Sequence, residues 1–174
     1  MSQKNAASGS AERRTVGAME VVVDGEEVSL IRLFDAPREL VFKAWTDPTH
    51  ISKWWGPSGF DVPECRLDPL PGTTYRIVMR SPQGSEMHLT GVIHEVEEPE
   101  RIVMTLGSDG TAFEVLMTIV FEEVAGKTKM TLTTMFGSLA ERDAATQRGA
   151  NDGWAQSFEK LDAHLAGAKV SRLD

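Results

Sequence analysis

Few side chains in this sequence are spaced for covalent or metal chemistry. His88 and His94 lie six apart in an extended stretch, so they share a face but stand roughly 20 Å apart at about 3.3 Å per residue. His50 and His164 fall in separate helical stretches with no carboxylate at ligand spacing. All four read as surface histidines, and no metal site is expected. Cys65 is the only cysteine, which excludes an internal disulfide and a cysteine-rich metal site. No Gly-x-Ser-x-Gly elbow and no cysteine–histidine signature joins a nucleophile to its base. Gly107-Ser108-Asp109-Gly110 is a turn between strands and lacks the helix that a phosphate cradle needs. The reading therefore assigns no catalytic residue, no metal ligand and no cofactor.

Adaptable apolar surface is better represented. Met79, Met104, Met117 and Met130 fall on one side of the extended stretches, together with Tyr75 and Phe113. Methionine fills irregular space and accommodates varied apolar partners. Tyr75 adds a hydroxyl that needs a partner when buried. The same residues would also serve as plain core.

The elements that position them follow from period and punctuation. Residues Met19 to Phe34 read as a hairpin turning at Asp24-Gly25. Ala36-Pro37 and Asp47-Pro48 each announce a short helix, the second ending near Trp54-Trp55 before Gly56-Pro57. Adjacent residues on a helix diverge by about 100°, so one of these tryptophans is expected inside and the other near an entrance. From Phe60 the period becomes two, with six strands over 60–68, 74–80, 87–97, 102–106, 113–123 and 129–136. Their short, turn-rich connections require antiparallel neighbours. One face collects Tyr75, Ile77, Met79 and Leu89. It continues through Met104, Leu106, Phe113 and Val115, and then Met117, Met130 and Leu132. Arg32 falls opposite Ile31 and Leu33, with a salt bridge to Glu122 or Glu114 as its expected role.

The last stretch, Ser138 to Gly167, reads as one long helix. It opens on a Ser138/Glu141 capping box, is stopped by Gly167, and carries the stripe Trp154, Phe158, Leu161, Leu165. Carried backwards, the stripe passes Ala150, Gln147 and Asp143. Asp143 and Gln147 are thereby candidates for contacts to a ligand head group. Gly149 and Gly153 mark a bend or a close approach. The expected plan is a tail over 1–18, one domain over 19–167 and a second tail over 168–174.

The run Arg32-Leu33-Phe34-Asp35-Ala36-Pro37-Arg38-Glu39-Leu40-Val41-Phe42-Lys43-Ala44-Trp45-Thr46-Asp47-Pro48 resembles the opening signature of one family. This is the family of the C-terminal domain of the heat-shock protein 90 ATPase activator, in the START-like (SRPBCC, birch-pollen-allergen-like) superfamily. Trp54-Trp55-Gly56-Pro57 is similar to its next motif. The stretch 91–105, with Glu95, Pro99, Glu100 and Arg101, and the late Gly153-Trp154 with Leu161 and Leu165, match further landmarks. Leu70-Pro71-Gly72-Thr73 departs from the family's usual Arg-Pro-Gly-Gly turn. The resemblance spans about 28–166 and implies an α+β helix-grip fold, a curved antiparallel sheet around the terminal helix with an apolar cavity between them. Its implied lining is the sheet face above together with Trp54, Trp154 and Phe158.

Three functions follow from the resemblance. The first is non-enzymatic carriage or sensing of a small hydrophobic molecule. The second is co-chaperone action on a heat-shock protein 90 ATPase, although the short stretch before Val28 leaves no room for the activator's separate chaperone-binding domain. The third is a cyclase or aromatase working in the same cavity by shaping its substrate. A net charge of −8 without clustered Lys and Arg argues against nucleic acid. No apolar run approaches the roughly 18–20 residues of a membrane span, and the start lacks the apolar block of a signal peptide. The cytoplasm is the expected compartment.

Overall fold

The computed structural model describes residues 11–173. Extended backbone begins earlier than polarity suggests. β1 (Glu12–Val16) pairs antiparallel with β2 (Met19–Asp24), from Glu12 against Val23 to Val16 against Met19. This corrects the tail expected over 1–18, of which residues 1–10 lie outside the described residues. The β1 side chains are mostly exposed. A backbone ladder rather than burial holds this strand, so hydrophobic patterning passes over it. β2 and β3 (Glu27–Phe34) form the expected hairpin, with Gly25 at φ +60° in the turn.

α1 (Arg38–Thr46) and α2 (Pro48–Trp54) then carry the chain across the sheet. Pro37 sits just outside α1 as its N-cap. Pro48 opens α2, where the Asp47 carboxylate accepts the Thr49 N–H at 2.9 Å. The remaining strands are β4 (Asp61–Arg66), β5 (Thr74–Arg80), β6 (Glu86–Glu97), β7 (Arg101–Ser108), β8 (Glu114–Val124) and β9 (Lys127–Met135). They join β1–β3 in one antiparallel nine-stranded sheet of order β1-β2-β3-β9-β8-β7-β6-β5-β4. β9 thus returns beside β3, with Leu30 opposite Leu132, while β4 forms the far border. The β4 ladder shifts register between Asp61 and Glu64, around Pro63.

The inward face is the one that period two predicts. Ile77, Met117, Ile119, Met130 and Leu132 are all 0% exposed, and each such side chain contributes roughly 1.5–3 kcal/mol on burial. α4 presents Phe158, Leu161 and Leu165 to it, the spacing seen in the sequence. Arg32 is also on this covered face, and its partners differ from those expected. Its guanidinium meets Glu159 at 2.9 Å and Asp162 at 3.7 Å, both on α4, and lies over the Phe34 ring. Strand alternation gives the face but not the helix that crosses it.

The terminal helix is two helices. α3 (Leu139–Gln147) and α4 (Ala150–Leu173) are separated at Arg148-Gly149, where Gly149 takes φ +85°. A left-handed residue there ends α3 and redirects the chain. The Ser138 hydroxyl accepts the Glu141 N–H at 3.1 Å, as the capping pattern predicts. Gly167 does not stop α4, which runs to Leu173, so the expected tail over 168–174 is helical through Leu173. Gly167 is tolerated there because helix formers follow it and Ala168 packs against the core.

Candidate functional site

Two kinds of space open along α4, and they differ in chemistry. The first is a small, partly open cavity of about 70 Å³ between the sheet and the α3–α4 junction. Its floor is Val28 and Leu30 of β3, Leu106 of β7, and Val115 and Met117 of β8, with Phe113 just before β8. Thr134 of β9 and the following Phe136 close one side. The roof comes from both helices: Ala145 and Thr146 of α3, and Ala150, Asn151 and Trp154 of α4. The break at Gly149 builds this roof, because it lets the ends of two helices meet over one hollow.

Five of the residues expected to line a cavity are there: Leu106, Phe113, Val115, Met117 and Trp154. Ile77, Met79, Leu89, Met104, Met130, Leu132 and Phe158 are packed core beyond it. Trp54 belongs to the core as well, and Trp55 is buried beside it, so neither stands at an entrance. Aromatic packing accounts for this. Trp45, Trp54, Trp55, Trp154 and Phe158 form one cluster in which Trp45 stacks on Trp154 at 6.2 Å. The indole N–H of Trp54 donates to Ala44 O at 3.0 Å, and that of Trp45 to the Met130 sulfur at 3.1 Å.

Asp143 and Gln147 are exposed and do not border the cavity; Arg142 pairs with Asp143 at 2.8 Å. Extending the α4 stripe through residues 148–149 assumed a continuous helix, and the break turns Ala145 inward instead, with Thr146 at the cavity's exposed rim. Tyr75 does not face the cavity either. Its hydroxyl donates to Thr105 O at 2.5 Å, and burial pushes the phenol pKa far above its ordinary value. Gly91 makes room for this ring, since a Cβ there would lie 2.6 Å from Tyr75 Cε1 and 2.0 Å from Thr105 O.

Three polar side chains border the cavity, Thr134, Thr146 and Asn151, and Asn151 is 8% exposed. Its Nδ2 is buried with no hydrogen-bond partner among the described residues. The sequence held a signal for it. The stripe Trp154, Phe158, Leu161, Leu165 alternates four and three, and a step of three backwards from Trp154 lands on Asn151.

The second space is a wide open cleft between α1, α2 and the C-terminal half of α4. His50 and His164, read from the sequence as surface residues of separate helices, meet here, His50 Nδ1 lying 2.8 Å from His164 Nε2 with the rings edge to face. Burial, then His50 and Lys53, holds the His164 pKa below its ordinary value. Cys65 is half-buried, and desolvation followed by the Asp47 carboxylate pushes its thiol up to about 11, the wrong direction for a nucleophile. Among the described residues no group of three or more His, Cys, Asp or Glu could hold a metal ion. No helix there is long and apolar enough to cross a membrane.

α4 also grips the loop after α2. Lys160 Nζ donates to Gly56 O, Pro57 O and Phe60 O at 3.0, 3.3 and 3.2 Å. Ser157 Oγ and Gln156 Oε1 accept the N–H groups of Gly56 and Ser58. The approach is close enough that a Cβ on Gly153 would meet Pro57 Cγ at 3.5 Å.

A curved antiparallel sheet closed around a long C-terminal helix, with a hollow where they meet, defines the α+β helix-grip class of the START-like superfamily. The model of the family described as "Activator of Hsp90 ATPase homolog 1-like protein" matches residues 35–166, and the chain belongs to that family. Solved structures agree. A protein of Nitrosomonas europaea is 25% identical with a TM-score of 0.78, over 85% of this chain and 99% of that one. One from Rhodobacter sphaeroides is 25% identical with a TM-score of 0.76, over 90% and 98%. An AHSA1 protein from Silicibacter pomeroyi is 26% identical with a TM-score of 0.70, over 80% and 97%. A comparison with curated proteins found no significant match.

Proposed function

We propose that this protein binds a small apolar molecule in the cavity beneath the α3–α4 junction, as a carrier or sensor. The observation that carries the reading is the hollow itself, about 70 Å³ at the edge of an interior otherwise filled by packed aromatics and methionines. Pockets for small molecules are mostly apolar with a few placed polar groups, and this lining has that composition. Its size sets the scale of the ligand. One water needs about 10–15 Å³, and an apolar cavity of about 150 Å³ takes benzene, so the hollow as it stands suits a molecule smaller than benzene. Among the described residues around it there is no ionisable group, which favours binding over acid–base turnover.

Native mass spectrometry of gently purified protein, followed by denaturing extraction, tests this reading. A reproducible bound small molecule, or saturable binding of small apolar compounds with a raised melting temperature, is expected. A clean apo mass together with no thermal response to such compounds would remove its basis. The family description favours a second reading, stimulation of an Hsp90-type ATPase. Its test is a chaperone pull-down with an ATPase assay, and no stimulation at saturating protein would end it.

A further inference from the structure

The cavity is not uniformly apolar, and its polar content is one-sided. Asn151 is 8% exposed and borders the hollow, with Nδ2 buried and unpartnered among the described residues. A buried amide donor left without an acceptor is destabilising, so a free donor at a cavity wall is matched by an acceptor brought in by a ligand. The hydroxyls that border the hollow do not relieve it. Thr146 Oγ1 donates back to Arg142 O at 3.2 Å, within its own helix. Thr134, 8% exposed, borders the hollow from β9.

Resting on the reading that this cavity is a binding site, we propose that Asn151 is its polar anchor. The ligand it selects is a neutral molecule with a short apolar body and a carbonyl-type oxygen that accepts from Nδ2. The oxygen follows from the donor. Neutrality follows from the rest of the lining, because among the described residues no lysine, arginine or histidine borders the hollow. A carboxylate would be buried without a counter-charge, which is strongly unfavourable. The short body follows from the volume and from the walls, Leu30, Leu106, Val115 and Met117, which offer dispersion contacts and no further hydrogen bond.

The experiment is NMR titration of the whole chain with three probes of similar size, each smaller than benzene: acetone, propane and acetate. The sequence contains two asparagines, Asn5 and Asn151, so ¹⁵N-asparagine labelling yields two side-chain amide pairs. Loss of one in Asn151→Leu assigns it. The ¹³C-methyl of Met117, assigned through Met117→Leu, reports cavity occupancy separately. We expect acetone to shift both the Asn151 amide and the Met117 methyl saturably. Propane should shift the methyl alone, and acetate neither. In Asn151→Leu the ketone should bind about three- to tenfold more weakly, the worth of one ordinary hydrogen bond, with propane binding no less tightly. If acetone moves the Met117 methyl and leaves the Asn151 amide in place, the anchor is refuted while the cavity reading stands. Unchanged ketone affinity in Asn151→Leu, or acetate binding as well as the ketone, refutes it likewise. If no probe moves the Met117 methyl, the cavity reading falls and the anchor falls with it.

Discussion

Truncating Met117 to alanine tests the hollow from its apolar side. Met117 is 0% exposed and forms part of the floor. The change removes the side chain beyond Cβ and enlarges the existing space of about 70 Å³ towards the ~150 Å³ at which an apolar cavity accepts benzene. The cavity component is about 1.7 kcal/mol, from ~24 cal/mol per Å³ over an added volume of about 70 Å³. Lost transfer energy adds about 2 kcal/mol at ~0.8 kcal/mol per methylene-sized group. The sum, about 3–4 kcal/mol, lies inside the range of about 2–5 kcal/mol usual for a buried methionine. Urea denaturation of both proteins measures it. Benzene at ten times its dissociation constant should then return about 1.4 kcal/mol to the variant. That is a rise of about 3–6 °C in melting temperature for a domain of this size, with the parent protein responding far less. A cost below 1 kcal/mol, or an equal benzene response in the parent, would show that Met117 does not wall a hollow of this size.

Three further outcomes follow from contacts described above. Gly91→Ala should cost at least about 3–4 kcal/mol or prevent folding, because its methyl would meet Thr105 O at 2.0 Å and dislodge the Tyr75 hydrogen bond; a loss under 1 kcal/mol in urea denaturation contradicts the crowding. Gly153→Ala should stabilise by about 0.5–1 kcal/mol, since its Cβ sits 3.5 Å from Pro57 in ordinary contact and alanine favours the helix; a lowered melting temperature refutes this. The His164 pKa is held below its ordinary value of 6.5 by burial, His50 and Lys53, so the unfolded chain takes up the proton first. The contribution of neutral His164 is full above pH 6.5 and is lost as pH falls through its lowered folded value. Melting temperature should therefore fall between pH 7 and pH 5, and less steeply in His164→Gln; identical slopes would exclude the pair as a cause.

Most of the sheet was legible because its residues obey a local rule. Alternation along Thr74–Arg80 and Lys127–Met135 fixes which side chains are buried, whatever the partner strand. The short helices were legible through Pro37, Asp47 and Pro48, whose conformational restrictions need no tertiary contact. What escaped depends on partners distant in sequence. β1 exists through its ladder to β2, Arg32 finds carboxylates more than a hundred residues later, and His50 meets His164 only once α2 docks on α4. The cavity was half legible. Its apolar floor followed from strand period, but its roof needed the break at Gly149, which sequence offers only as a choice between a bend and a close approach. A helix wheel drawn through that break put Asp143 and Gln147 at the wall, where Thr146 and Asn151 stand.

The two borders of the sheet have a colloidal consequence. A border strand offers a row of free N–H and C=O groups to any passing strand, including that of another copy. At one border β1 presents Glu12, Arg13 and Arg14, all exposed. At the other, Pro63 withholds an N–H, and the register shift between Asp61 and Glu64 spoils the spacing a new strand would need. Neither border is a template for fibre growth. With a net charge of −8 keeping molecules apart, concentrated solutions should stay free of edge-to-edge stacking, although the sheet is nine strands wide and never closes into a barrel.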